Sequence, residues 1–545
     1  MRVTPKRVVR AVRRRLRPAP EKVASAPEVV RERVVVRQLV LPEEECEGPE
    51  PISELDRTSL LGRHALPPLE RMAPEERAGL VDSMLSVERM RRLGIRPEDL
   101  EFPEASWKRI YNEVWRETRG VGAGPEVAFS GATASELNAL LRRSGGASVD
   151  VESPLIVLDE TVVVPGGVAL RGRGARVVAG AAPVAKAFVL DGARDVLLDG
   201  FELDGCCDYP VYVKNSERFV ISGMRVTRCA HKAVCVMGAC RHFAVRNNRI
   251  SDSGNGAIFL NGDVELGVIE RNVVERAGGT GNLSGGIVLC SSDLDDIDTP
   301  YNPLKRWCLA ERLESPHDLV IVGNRIGAGE SNGIYSHASY RNYIIENTLK
   351  QNNKEGMCLD FGTVGCFVAR NVVLRNGGRF DMDEEKLVED FIQDFGVLSD
   401  GSSPAKVPGI SMDNAASNIL YQNVVAGNYG SGIKMVRSGA RNTILSNVVT
   451  DNNAGESEGF HFFGIELASD LREDYALEDI RELDFTPCYE NTVARNIVSG
   501  PHYAGVFLGR DAYVNDCFDN VVMDAPRPFE VVSGRLNARV NNLCQ

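Results

Sequence analysis

From about residue 126 onward the chain alternates apolar and polar residues in short runs, such as "YIIENTL" (Tyr343–Leu349) and "GIKMV" (Gly432–Val436). This is the period-two pattern of β-strands, and no helical pattern connects the runs. Asn248, Asn272, Asn324, Asn347, Asn371, Asn423, Asn447, Asn496 and Asn520 each stand directly before, or one residue before, an apolar residue. Their separations are 24, 52, 23, 24, 52, 24, 49 and 24, so one period of about 24 explains them all if each long gap holds one turn plus an insertion. A second marker keeps step: Gly256, Gly286, Gly333, Gly356, Gly409, Gly432, Gly464 and Gly505 each open a strand-like run. Self-similarity at a fixed period predicts a solenoid, here an all-β one of short parallel strands stacked about 4.8 Å apart. Asparagines recurring at one turn predict a buried ladder, each amide bonding to the next coil.

Upstream the period changes. "PEERAGLVDSMLSVERMRRLG" (residues 74–94) places Leu80, Met84, Leu85 and Met90 near helical spacing and stops at Gly94. "SWKRIYNEVWRETRG" (residues 106–120) puts Trp107, Ile110, Tyr111, Val114 and Trp115 on one stripe, which reads as a packing face. Residues 51–125 are therefore expected to form a small helical appendage, docked on the solenoid or on a partner. Residues 1–50, rich in Pro, Glu and Arg, read as a basic, disordered arm. "KRVVRAVRRRLRP" (Lys6–Pro18) would be an electrostatic tether or, more plainly, a solvated tail.

Composition narrows the classes. The 545 residues carry a net charge of -13, which argues against general binding of nucleic acid. The basic start lacks the apolar run of a secretory signal, and no apolar stretch approaches membrane-spanning length. The 13 cysteines form no CxxC pair or zinc-like spacing, and several, such as Cys235 and Cys290, sit inside apolar runs. A reduced, cytoplasmic setting is expected.

Residues 132–172, "ATASELNALLRRSGGASVDVESPLIVLDETVVVPGGVALRG", resemble the start of right-handed parallel β-helix proteins of the pectate-lyase-like superfamily. Those begin with a short amphipathic capping helix, a glycine turn and then the first coils. Here Thr133 and Glu136 form a capping box ahead of Leu137, Leu140 and Leu141, so a capping helix is expected near 133–143. The resemblance covers roughly residues 130–540 and implies architecture more than activity, because that superfamily includes lyases, glycoside hydrolases, epimerases and non-catalytic adhesins.

Aligning coils on the repeat glycine puts the first and third positions after it in the core and the second and fourth outside, facing solvent. The fourth position reads Asp191, Lys214, Met237, Leu260, Cys290, His337, Asp360, Asp413, Val436. The second reads Tyr212, Cys235, Ile258, Val288, Tyr335, Cys358, Ser411, Lys434, Glu466. Asp360 and Asp413, with His337 assisting, are the candidate catalytic residues: two carboxylates about 5 Å apart cannot both stay ionised, so one becomes an acid and the other a base. Tyr335, Lys434, Arg437, Glu466 and the stacking aromatic Trp307 are the candidate substrate-binding residues. Polar outward residues also serve simply to keep a sheet soluble, which is the plainer account of any one of them.

Insertions are expected near 292–316, 379–408 and 471–487, beside these coils, where solenoids collect binding loops. The second, "DMDEEKLVEDFIQDFG", reads as an amphipathic lid helix with Leu387, Phe391 and Phe395 on one side. The resemblance brings in calcium, which pectate lyases commonly use, and "SSDLDDID" (Ser291–Asp298) is the stretch it points to. That stretch lacks an EF-hand pattern and reads first as a solvated acidic loop, so no resident cofactor is expected. "SPHD" (Ser315–Asp318) is similar to the DPHD motif of alginate epimerases with Ser315 in place of its first Asp, and "GIKMVRS" to the RIK element of polygalacturonases at Lys434. The expected function is binding of an oligo- or polysaccharide and cleavage of its glycosidic bonds, as a lyase or a glycoside hydrolase. The alternatives are a uronate C5-epimerase and a non-catalytic glycan-binding or scaffold protein in surface-polysaccharide assembly. Homo-oligomerisation is left open.

Overall fold

The computed structural model describes residues 103–122, 124–279, 284–291, 314–360, 362–378, 407–413, 415–436, 439–453, 462–467, 488–509, 512, 514–532 and 537–544. Among the described residues forty-two short strands form three parallel sheets of 15, 14 and 13 strands, which we call A, B and C. Each coil runs through C, then A, then B. One coil comprises Asn332–His337 in sheet C, Tyr343–Ile345 in A and Thr348–Lys350 in B, and the next returns to C at Met357–Asp360. The wound ribbon is a right-handed solenoid.

Period-two alternation explains the interior. Ile334, Met357, Ile410, Ile433, Ile465 and Val506 pair in register along sheet C, and all are fully buried in one continuous core. Each such side chain withdrawn from water contributes on the order of 1.5–3 kcal/mol.

The repeat glycines mark the corner between sheets B and C, for a reason of space. A Cβ on Gly432 would meet Val449 Cγ1 at 2.4 Å, on Gly464 Val498 Cγ1 at 2.3 Å, and on Gly505 Val522 Cγ1 at 2.2 Å. The expected alignment slips by one residue in a single coil. There Ile258, not Gly256 plus one, pairs with Ile287, so Ala257 takes the small-residue position and Phe259 and Asn261 take the outward ones. Leu260, expected outside, is core, and Ile258 likewise. Alanine is the next smallest side chain after glycine, which is why the marker was displaced.

The asparagine ladder is present and continuous from Asn248 to Asn542. In Asn347 the amide Nδ2 donates to Asn371 Oδ1 at 3.0 Å and to the Ile321 carbonyl at 2.9 Å, while its Oδ1 accepts from Asn324 N and Nδ2, both at 2.9 Å. Every polar atom of the buried side chain is thus used. Two further ladders stand at the other corners. One runs Asn418, Asn442, Asn491, Asn515, Asn537 between C and A. The other runs Asn352, Asn376, Asn428, Asn452 between B and C, where His502 Nε2 accepts from Asn452 N at 3.2 Å and ends it.

Two helices lie among the described residues. Helix α1 (Pro103–Thr118) packs Trp107, Ile110 and Val114 against the outer face of sheet A, on Val268, Val320 and Val322. Tyr111 and Trp115 of the expected stripe lie at its edge. Helix α2 (Ala134–Leu141) closes the first coil, with Thr133 and Glu136 making the reciprocal capping box and Leu137 and Leu141 fully buried. No described helix is long and apolar enough to cross a membrane. The segment 74–94 lies outside the described residues, as do most of the three expected insertions.

Candidate functional site

Sheet C positions every candidate that the structure describes. His337 ends the strand Asn332–His337, Asp360 the strand Met357–Asp360 and Asp413 the strand Ile410–Asp413. Their backbones pair in register, Cys290 to His337, His337 to Asp360 and Asp360 to Asp413. Residues 76 positions apart in sequence, from His337 to Asp413, thus occupy one outward column of three adjacent rungs. The neighbouring column reads Tyr212, Cys235, Phe259, Val288, Tyr335, Cys358, Ser411, Lys434, Glu466, again in unbroken register.

Outward does not mean solvated, which corrects the expectation. His337 is 8 % exposed, Asp360 and Asp413 7 % each, and Tyr335 6 %. Part of the cause is an apolar patch outside the solenoid core, where Cys235, Phe259, Val288, Cys290, Tyr335 and Cys358 pack side by side. Along the solenoid axis the apolar patch runs from Cys235 to Cys358 and overlaps a polar stretch that runs from His337 to Glu466.

Within the polar stretch the Tyr335 hydroxyl donates to Asp360 Oδ2 at 2.8 Å. Burial, and then the charge of Asp360, hold that hydroxyl well above the usual tyrosine range, so it stays protonated and is a donor rather than a base. The Tyr335 and His337 rings stand 5.8 Å apart between centroids. Glu466 is fixed from two sides: Lys434 Nζ lies 3.3 Å from Oε1, and Ser431 Oγ donates to Oε2 at 2.6 Å. Lys434 is thus engaged by a carboxylate of its own chain, and a uronate would have to compete with Glu466 for it. Ser431 was missed in the sequence, where it is 35 residues from Glu466 and only the coil register joins them. Arg437 and Trp307 lie outside the described residues, as does the acidic stretch after Ser291. Among the described residues no group of three His, Cys, Asp or Glu side chains is placed to hold a metal ion.

His317 of the "SPHD" stretch is elsewhere. It sits at the corner between C and A, stacked on Tyr340 with centroids 4.6 Å apart, its Nε2 3.4 Å from Glu265.

Residues 292–313, 379–406, 454–461 and 468–487 lie outside the described residues. The corner between A and B is a tight two-residue turn over the coils that carry the candidates, as at Glu346–Asn347.

Residues 183–296 match the family model for the right-handed β-helix region. The chain folds as a right-handed parallel β-helix. No curated protein matches it. Among solved structures this β-helix is similar to the A-module of mannuronan C-5 epimerase AlgE4 of Azotobacter vinelandii, with 11% identity and a TM-score of 0.44, covering 74% of this chain and 95% of that one. Bacteriophage CBA120 tailspike protein 3 is 10% identical at a TM-score of 0.41, covering 77% and 60%. A DFA-IIIase from Arthrobacter chlorophenolicus is 12% identical at 0.37, covering 69% and 94%. Likeness of this degree carries no argument about the chemistry of the present β-helix.

Proposed function

We propose that the outward face of sheet C binds an oligo- or polysaccharide and cleaves a glycosidic bond in it at Asp360 and Asp413. The observation that carries this reading is the rung sequence His337, Asp360, Asp413, three proton-transferring groups at one outward position of adjacent coils. Their burial supports it, since charged side chains that merely keep a sheet soluble stand in water.

Adjacent rungs set the two carboxylates about 4.8 Å apart at the backbone, near the roughly 5 Å of a retaining glycosidase pair and short of the gap that an inverting water needs. Mutual repulsion favours a single proton on the pair. Asp360, which accepts from Tyr335, is the carboxylate that stays ionised and attacks the anomeric carbon. Asp413 gives its proton to the leaving oxygen and takes one from the water that releases the sugar. His337 assists on the other side of Asp360, and Lys434, Glu466, Arg437 and Trp307 position substrate.

One observation favours a second reading, uronate C5-epimerisation: a protonated Tyr335 hydroxyl and the His337 imidazole share one strand, an acid and a base for returning and removing a C5 proton. A panel of neutral and acidic glycans, incubated with and without calcium, tests both. Hydrolysis yields new reducing ends without ultraviolet absorbance, elimination yields an absorbing unsaturated sugar, and epimerisation changes the uronate stereochemistry at constant chain length. Binding without any of these changes would leave a glycan-binding module and remove the proposed chemistry.

A further inference from the structure

On the coils before the buried patch, the outer face of sheet C comes to the surface. Lys186, Tyr209 and Lys232 each stand two residues before a core position, and those core residues, Phe188, Val211 and Val234, pair in register on three successive strands. Tyr212 pairs with Val189 on one side and Cys235 on the other, so it lies in the column that leads through Phe259 and Tyr335 to Lys434. Tyr209 and Tyr212 pack against the patch of Cys235, Phe259 and Tyr335. Both tyrosines, Lys186 and Lys232 are half-buried, and His231 is exposed.

The rings order the two lysines. Lys186 Nζ lies 3.5 Å from the centroid of Tyr212, and Lys232 Nζ 4.3 Å from that of Phe259. Tyr209 stacks on His231 at 5.2 Å and meets Tyr212 edge-on at 6.1 Å. An ammonium group held over a ring keeps N–H donors for a further partner. Among the described residues neither lysine forms an ion pair, not even with the nearby Asp191 or Asp208, and the hydroxyls of Tyr209 and Tyr212 form no hydrogen bond. Elsewhere on these coils basic side chains are neutralised from rung to rung. Arg218 makes two bonds of 2.6 Å to Asp195, and Arg225 one of 2.8 Å to Glu202. The outer face of sheet C thus holds two ordered cations and two hydroxyls whose bonding capacity the fold leaves open.

We propose that Lys186, Lys232, Tyr209 and Tyr212 form a subsite for an anionic sugar, one bearing a carboxylate or a sulfate group. Given the reading of sheet C as a glycan face, this patch is where the charge of the ligand is recognised. The two ammonium groups give charge-assisted bonds to the anion, the tyrosine hydroxyls serve sugar hydroxyls, and the ring edges cover the sugar's C–H surface. Lys434, further along the face, is already held by Glu466 at 3.3 Å, whereas these lysines have no carboxylate to displace. Tyr212 stands five rung steps before Asp360, about 24 Å along the solenoid. A glycan that spans both places is gripped by its acidic group at one and presents a bond at the other.

The test is affinity electrophoresis of the full chain through gels holding polygalacturonate, alginate, hyaluronan, dextran sulfate or neutral dextran. On a chain of net charge -13, retardation by a polyanion calls for a built cation site. Retardation is expected in at least one anionic polymer, and the polymer that retards tells carboxylate from sulfate. Lys186→Gln with Lys232→Gln should weaken it about tenfold or more. Arg249→Gln with Arg325→Gln, which takes the same charge from exposed positions of sheet B, should leave it unchanged. Tyr212→Phe, which keeps the ring beside Lys186 and removes one hydroxyl, should give a smaller weakening and serves if the lysine pair folds poorly. Asp360→Asn with Asp413→Asn should keep full retardation, so failure of the cleavage chemistry and failure of this subsite are read separately. Retardation by neutral dextran alone, by none of the anionic polymers, or to the same degree in the lysine and arginine variants overturns the proposal.

Discussion

The hydroxyl of Tyr335 and the carboxylate of Asp360 meet at 2.8 Å across one rung of sheet C, in a setting where both side chains are almost fully buried. A donor to a buried carboxylate favours its ionised form and fixes its direction. The bond ties the neighbouring outward column to that of Asp360, which makes Tyr335 a positioning residue for Asp360 in the proposed reaction.

Tyr335→Phe keeps the ring in the apolar patch and removes the donor. Stability should fall by roughly 1–3 kcal/mol, what the loss of a hydrogen bond to a carboxylate costs. Asp360 then holds its proton more firmly, so the acid limb of the kcat/KM profile moves to higher pH. Thermal melting and a pH–rate profile check the two effects, and an unmoved acid limb would separate Tyr335 from the chemistry.

The glycine marker makes a packing prediction. Gly432→Ala drives a methyl into Val449 Cγ1, and the backbone there is not left-handed, so the penalty is crowding alone. Overpacking of this kind costs about 1–3 kcal/mol. Denaturant unfolding should show that loss, and Val449→Ala in the same chain should recover part of it, an interaction that a double-mutant cycle measures directly.

Much of this architecture was legible before any coordinates. A period of about 24 in asparagine and glycine is visible because both residues do a job that few others can. Asn347 fills all its hydrogen-bonding capacity inside a corner, and Gly432 stands where a Cβ has no room. The alignment failed only at Gly256, where Ala257 replaced glycine and shifted the outward register to Phe259 and Asn261. The rung His337, Asp360, Asp413 followed from the same alignment. What could not be read was burial: alternation tells which side of a strand a residue takes, and says nothing of what packs on that side. The Tyr335 to Asp360 and Ser431 to Glu466 bonds likewise depend on side-chain directions that register alone does not give.

His502 ends the ladder between sheets B and C, and burial lowers its pKa from 6.5 to about 4. The unfolded chain binds this proton near pH 6.5 and the folded chain only near 4, so the group costs stability as pH falls from about 6.5 toward 4. That contribution is on the order of 3 kcal/mol at the acid end. His502→Asn carries the ladder one rung further without a titrating group. Unfolding curves at pH 7 and pH 4 should show a smaller acid loss for the variant than for the parent chain; equal losses would mean that His502 titrates alike in both states.

In the proposed reaction Asp360 and Asp413 work as one unit on a bound glycan. The direct measurement is turnover and glycan affinity of Asp360→Asn, Asp413→Asn and the double variant, on whichever glycan the panel identifies. Each single variant is expected to lose at least about a hundredfold in turnover and the double variant little more, with affinity and thermal stability close to those of the parent chain. Turnover retained in either single variant would contradict the proposed reaction.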